Sequence, residues 1–136
     1  MASLKATLSL SSTDVSSDTL SFSVTDTATV EAPNTSVAKI VTATSGGDSV
    51  DSSAKIIVPG SSDTRYVYIK HLGLNSAGGS SGADQVKVES ADNTQIMLLS
   101  KYEFAFFPYD VGGAGLVQLQ ASANTVQVEY AFFTRA

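Results

Sequence analysis

The sequence predicts an all-β fold: an antiparallel β-sandwich, jelly-roll-like, with about nine or ten strands and essentially no helix. Three observations predict it. Short segments with apolar and polar residues in strict alternation recur along the whole chain, and alternation is the signature of a strand with one face buried. Clusters of Ser, Thr, Gly, Asp and Asn separate them, which is turn chemistry. No segment carries the 3.6-residue apolar period of a helix. The clearest strand is Thr125 to Phe133, where Val126, Val128, Tyr130 and Phe132 share one face and Gln127 and Glu129 the other.

Taken in order, Leu4, Ala6, Leu8 and Leu10 alternate with Lys5, Thr7 and Ser9 as a first strand, followed by the loop SSTDVSSD. Leu20, Phe22 and Val24 define a second, which Ala28 and Val30 either continue or follow. Pro33-Asn34 marks a turn. Val37 to Thr42 is a third strand, SGGDSVDSS a polar loop, and Lys55 to Val58 a short apolar strand closed by Pro59-Gly60. Tyr66 to His71 carries large side chains on both faces, which suits a central strand or a subunit contact. GLNSAGGSSGAD is the longest stretch of flexible composition. Gln85 to Glu89, Gln95 to Leu99 and the segment EFAFFPYD from Glu103 follow, with SADNT as a tight connection between the first two. After the glycine-rich VGGAG, Leu116 to Ala121 and Thr125 to Phe133 are expected to form a last pair joined by SANT.

A chain of 136 residues suits one domain over 1–136 with a core of its own. The Ser/Thr-rich N-terminal part, about residues 1–18, suggests an arm on a firmer C-terminal sandwich. Cysteine is absent, so no disulfide framework, thiolate metal site or thiol nucleophile is available. Ser and Thr make up roughly a quarter of the residues, above ordinary usage. With 15% charged residues, a net charge of −5 and scattered Lys and Arg, nucleic acid is not an expected partner. No apolar run reaches the ~18 residues of a membrane helix, and no membrane partner is expected. The opening MASLKATLSLSS lacks the continuous apolar core of a signal peptide.

Few constellations could carry chemistry. His71 is the only histidine, and no G-x-S-x-G elbow presents a serine to it, so it reads as a strand-end residue making a hydrogen bond. SAGGSSG at 76–82 has the glycines of a phosphate loop but neither its Lys-Ser/Thr nor its helix. Asp14, Asp18, Asp48, Asp51, Asp63, Asp84, Asp92 and Asp110 lie in loops without a calcium-loop spacing and suit Asx turns. Glu103 and Glu129, both flanked by aromatics, would have to oppose one another in a cleft for glycosidase chemistry. The expectation is therefore no catalytic residue, no metal, no cofactor and no enzyme.

The aromatics are the sharper signal. Tyr66, Tyr68, Phe106, Phe107, Tyr109, Phe132 and Phe133 place large apolar groups on both faces near strand ends. This favours core or interface over a sugar-stacking platform, and Trp is absent. These seven are the candidate interface residues.

The second half also resembles small β-rich virion proteins of tailed bacteriophages. The resemblance runs through RYVYIKHLG, VKVES, TQIMLLSKYEFAFFPYD and VQLQASANTVQVEYAFFTRA. Such proteins show a tyrosine-containing strand ending in a polar corner, a V-x-V strand, an apolar strand leading into E-F-x-x-F-P, and a closing V-x-V-E-Y strand. The matching positions are Tyr66 to Lys70, Val86 and Val88, Ile96 to Leu98, Glu103 to Pro108, and Val126 to Tyr130. The family's P-G-E turn before the Phe strand reads SKYE here, a departure in the turn. The resemblance implies a virion structural protein made in a bacterial cytoplasm. The first expectation is a capsid decoration (cement) protein on the capsid surface, with the major capsid protein and itself, as a homotrimer, for partners. The alternative is a tail fibre or baseplate module that binds a receptor or carbohydrate through its tyrosines and the loops at 76–82 and 112–115.

Overall fold

The structure is a computed structural model, and it describes residues 2–14, 19–31, 37–43, 55–59, 63–110 and 116–136. Among the described residues, ten strands form three antiparallel sheets. A two-stranded ribbon pairs β1 (Ala2–Ser12) with β2 (Leu20–Val30). The remaining strands are β3 (Ala38–Ala43), β4 (Lys55–Val58), β5 (Arg65–His71), β6 (Val86–Glu89), β7 (Gln95–Leu99), β8 (Phe104–Tyr109), β9 (Val117–Ala121) and β10 (Thr125–Thr134). Sheet I has the order β3-β10-β5-β8 and sheet II the order β4-β9-β6-β7. No helix occurs among the described residues.

The pairing has a simple logic. β6 pairs with β7, β5 with β8, β4 with β9 and β3 with β10, the pairs of one long hairpin whose tip is the β6–β7 turn. Two further pairings, β10 with β5 and β9 with β6, wrap that hairpin into two facing sheets. This is the jelly-roll strand order. It also corrects one expectation. β9 and β10 are not a hairpin but belong to different sheets, and Ser122, Ala123 and Asn124 carry the chain across. Extended residues reach ~3.3 Å each, so three suffice for sheets ~10 Å apart. Asn124, at a φ of 50°, makes the corner, and its amide donates to the Asp84 carboxylate at 3.1 Å.

The core is what alternation dictates. Val67 and Ile69 of β5 and Val126, Val128 and Phe132 of β10 face Val86 and Val88 of β6, Leu99 of β7, and Val117, Leu119 and Ala121 of β9. Many of these side chains are β-branched, which suits a pleated sheet. Burying each Val, Leu or Ile contributes about 1.5–3 kcal/mol. β4 breaks the alternation because a bulge falls between Ile56 and Val58, so the adjacent Ile57 and Val58 are both buried. His71 is fully buried at the end of β5. Its Nδ1 accepts from the Gly73 amide and its Nε2 bonds the Asp84 carbonyl, both at 2.9 Å, which fixes the neutral tautomer with the proton on Nε2. Gly73 is required there: its φ is +76°, and a Cβ would run into the Tyr102 ring.

The ribbon is built differently. Its register places Leu4, Ala6, Leu8 and Leu10 opposite Ala28, Asp26, Val24 and Phe22 on one face. Ser and Thr fill most of the other, where Thr7 bonds Thr25 at 2.9 Å and Ser9 bonds Ser23 at 3.1 Å. Strands of eleven residues make it about 37 Å long. It is anchored at its base, where Val30 is buried and bridges Arg135, the Glu31 amide donates to the Thr134 carbonyl, and the Ala136 amide to the Thr29 carbonyl. The projecting element is therefore the strand pair Ala2–Ser12 and Leu20–Val30, which extends beyond the arm over about 1–18 that composition suggests.

These two regions differ energetically, and truncation reads the difference. Leu119→Ala is expected to cost about 2–5 kcal/mol, whereas Leu10→Ala on the ribbon is expected to stay within about 0.5 kcal/mol. Urea unfolding of the isolated chain, compared at equal m-value, checks both. A large loss from Leu10→Ala would show that the ribbon face is packed.

Candidate interaction surface

Alternation on β5, β8 and β10 turns a second set of side chains outward from sheet I. Its rows, read from the register, are Phe133–Tyr66–Pro108, Ala131–Tyr68–Phe106 and Glu129–Lys70–Phe104. Tyr66 and Phe106 stack with ring centroids 6.0 Å apart and planes within 5°. Tyr68 donates its hydroxyl to the Glu129 carboxylate at 3.0 Å. Burial, then that hydrogen bond, then the carboxylate charge hold its phenol pKa above the ordinary 10.0. Phe104 remains 61% exposed and Phe106 41%.

The ribbon overhangs this face. Between the two lies an open groove of about 760 Å³, walled on one side by Leu4, Ala6, Leu8, Val24 and Asp26 and on the other by Tyr68, Phe104, Phe106, Ala131 and Phe133. Beyond Leu8 and Val24 the ribbon reaches past the groove, and its apolar face is open there, with Leu10 48% and Phe22 47% exposed. Chemically the arrangement offers flat apolar area and little else. Monomers rarely expose large contiguous apolar patches unless something docks there.

Of the seven candidate interface residues, Tyr66, Tyr68, Phe106 and Phe133 lie on the outer face of sheet I. The other three face inward. Phe107 and Tyr109 pack on the core and meet edge-to-face at 6.3 Å, and Phe132 is buried beneath the Arg65 guanidinium, 5.4 Å from its ring centre. The ribbon residues Leu8, Leu10, Leu20, Phe22 and Val24 and the β8 residue Phe104 are the apolar surface that the candidate list lacks. Alternation marks them as one face of a strand but does not say whether anything covers that face.

The other candidates resolve simply. Both ring nitrogens of His71 are engaged by backbone groups, so neither reaches a serine or a carboxylate. The 76–82 loop is laced rather than loose: Asn75 Oδ1 accepts from the amides of Ala77 and Gly79, and the Thr125 hydroxyl bonds Ser76. Glu103 accepts the Ser100 amide at 2.7 Å, an ordinary turn contact. Among the described residues no three His, Cys, Asp or Glu gather as metal ligands. Pro33-Asn34, Asp18, Asp48, Asp51 and the 112–115 loop lie outside the described residues. No protein-family model, no curated protein and no solved structure matches the chain.

The Tyr68 environment predicts an alkaline weakness. The native phenol holds its proton above pH 10.0 whereas the unfolded one releases it there. This contribution to stability is present below 10.0 and is lost as pH rises through the raised native value. Thermal midpoints measured from pH 9 to 11 are expected to fall less steeply in Tyr68→Phe than in the wild type, with the remaining slope shared by Tyr109, which burial also raises. An unchanged slope would exclude Tyr68 as a source.

Proposed function

We propose that the chain is a virion structural protein of a tailed bacteriophage, placed on the capsid surface as a decoration (cement) protein that assembles as a homotrimer and bridges major capsid subunits. One observation carries the reading: a well-packed sandwich projects a ribbon that exposes an apolar face along its outer half. Such a surface binds by area, not by chemistry. The jelly-roll order fits as an analogy, since capsid domains use it, although a fold alone does not give a function. The sequence resemblance points the same way. Small contacts repeated over a shell give a large total stabilisation through multivalency.

Quantitative mass spectrometry of purified particles tests the reading. One copy per capsid subunit, or one per few, is the expected result, together with particles that lose thermal and osmotic stability when the gene is deleted. Absence from the particles would overturn it. The stacked, accessible Tyr66–Phe106 pair supports a second reading, a tail fibre or baseplate module binding a carbohydrate. That reading requires a handful of copies per particle and selective signals on a glycan array, neither of which a cement protein should give.

A further inference from the structure

We propose that the free edge of β8 takes up an extended peptide segment of a partner protein, which adds to sheet I as a further strand and lays its alternate side chains in the groove beneath the ribbon. The inference goes beyond the capsid reading: it stands on the edge itself and names how a partner chain is held.

The backbone of β8 has one side unused. β8 ends sheet I, with β5 as its strand neighbour. The His71 amide donates to the Glu103 carbonyl, so in this register the odd-numbered residues of β8 bond β5 and the even-numbered ones turn their backbone groups to the open side. The N–H and C=O of Phe104 and Phe106 therefore point away from the sheet, with no backbone partner among the described residues. Pro108, which has no N–H, closes the run. Proteins ordinarily guard such an edge with charge. The edge strands β3 and β4 carry Lys39 and Lys55, whereas β8 has no charged side chain from Phe104 to Tyr109.

The groove opens on that edge. Phe104 and Phe106 face outward, and Ala105 and Phe107 face the core, yet all four line it, together with Met97 of sheet II. Side chains from both faces of one strand border a single space only where that space runs past the strand's edge.

Backbone, walls and size together select the occupant. Unpaired N–H and C=O groups call for a ligand that offers both at strand spacing, which is an extended backbone and not a lipid or an aromatic ring. The walls call for apolar side chains at alternate positions. One set would lie beside Phe104 and Phe106, under Leu8 and Val24, and the other beside Phe107 and Met97. A strand residue fills a block of roughly 3.3 by 4.8 by 10 Å, so about five of them fill the 760 Å³ groove. Asp26 is the one acid on the walls, and its carboxylate accepts the Thr27 amide at 2.8 Å, while Lys5 belongs to the opposite face of β1. The segment is therefore apolar with a basic rather than an acidic residue beside the ribbon.

Titration of the isotope-labelled full chain with a synthetic heptapeptide, followed by amide NMR, tests this. The peptide alternates valine and threonine, carries a lysine at each end and is capped at both termini. Saturable shifts are expected at the Phe104 and Phe106 amides, which move downfield as they gain acceptors, and at the ribbon residues that face them. The same sequence with esters in place of its valine and threonine amides keeps the side chains and loses the donors, and it is expected to bind about tenfold more weakly. Glutamate in place of both lysines is expected to weaken binding about threefold. Equal binding of the ester analogue would overturn the proposal, because the groove would then hold apolar groups without pairing. Shifts confined to another strand edge, or no shifts at millimolar peptide, would overturn it as well. So would movement of the same amides with protein concentration alone, which would give the edge to a second copy. Abundance in particles is a separate measurement, so this contact and the capsid reading can each fail without the other.

Discussion

Strand β10 uses both of its backbone edges along its length. Odd-numbered residues face the β5 side, where the Gln127 amide and carbonyl bond Leu74 and Leu72 and the Arg135 amide bonds Thr64. Even-numbered residues face the other side, where β3 pairs with the first half and the base of β2 bonds Thr134 and Ala136. Its inward side chains, Val126, Val128 and Phe132, lie in the core. Sheet I, the core and the ribbon anchor therefore share one strand. A register slip of one residue there would turn Val126 and Val128 outward and bring Gln127 and Glu129 in.

From that strand outward the molecule divides into two regimes. The sandwich is held by apolar burial between two sheets. The ribbon is held by its own cross-strand bonds, a hydroxyl ladder on one face and a few bonds at the base, and an isolated two-stranded hairpin is marginal in water. An element that long with an open apolar face makes sense where another surface completes it. Burial of the outer ribbon would add the side-chain packing that its fold lacks.

The strands themselves were legible because alternation is local. Thr125 to Phe133 and Gln95 to Leu99 read directly, and Tyr66 to His71, with large groups on both faces, proved to be a central strand of sheet I. What alternation does not encode is which sheet a strand joins. Leu116 to Ala121 and Thr125 to Phe133 look like a hairpin, yet each already has two other neighbours, and the short SANT segment bridges sheets instead. Nor does it say which face is inner. In EFAFFPYD, Phe104 and Phe106 share one face and Phe107 and Tyr109 the other, and only the pairing with Tyr68 and Val67 shows the first pair to be outside. Gln118 and Gln120 alternate with Val117, Leu119 and Ala121, yet all five are buried, and on the outer side of β9 Gln118 donates to Asn93 at 2.6 Å. The alternation of Leu4 to Leu10 predicts a face without revealing that its outer half stands uncovered.

The proposed assembly role requires that a partner surface complete the ribbon while the sandwich stands alone. Hydrogen exchange of backbone amides, followed as a function of protein concentration, tests it most directly. Amides of residues 2–12 and 20–30 should exchange fast in dilute solution and gain protection as copies associate, while β5, β6, β9 and β10 stay protected throughout. Ribbon amides as slow as those of β10 in the dilute monomer would contradict the account, because the hairpin would then be stable without any surface to complete it.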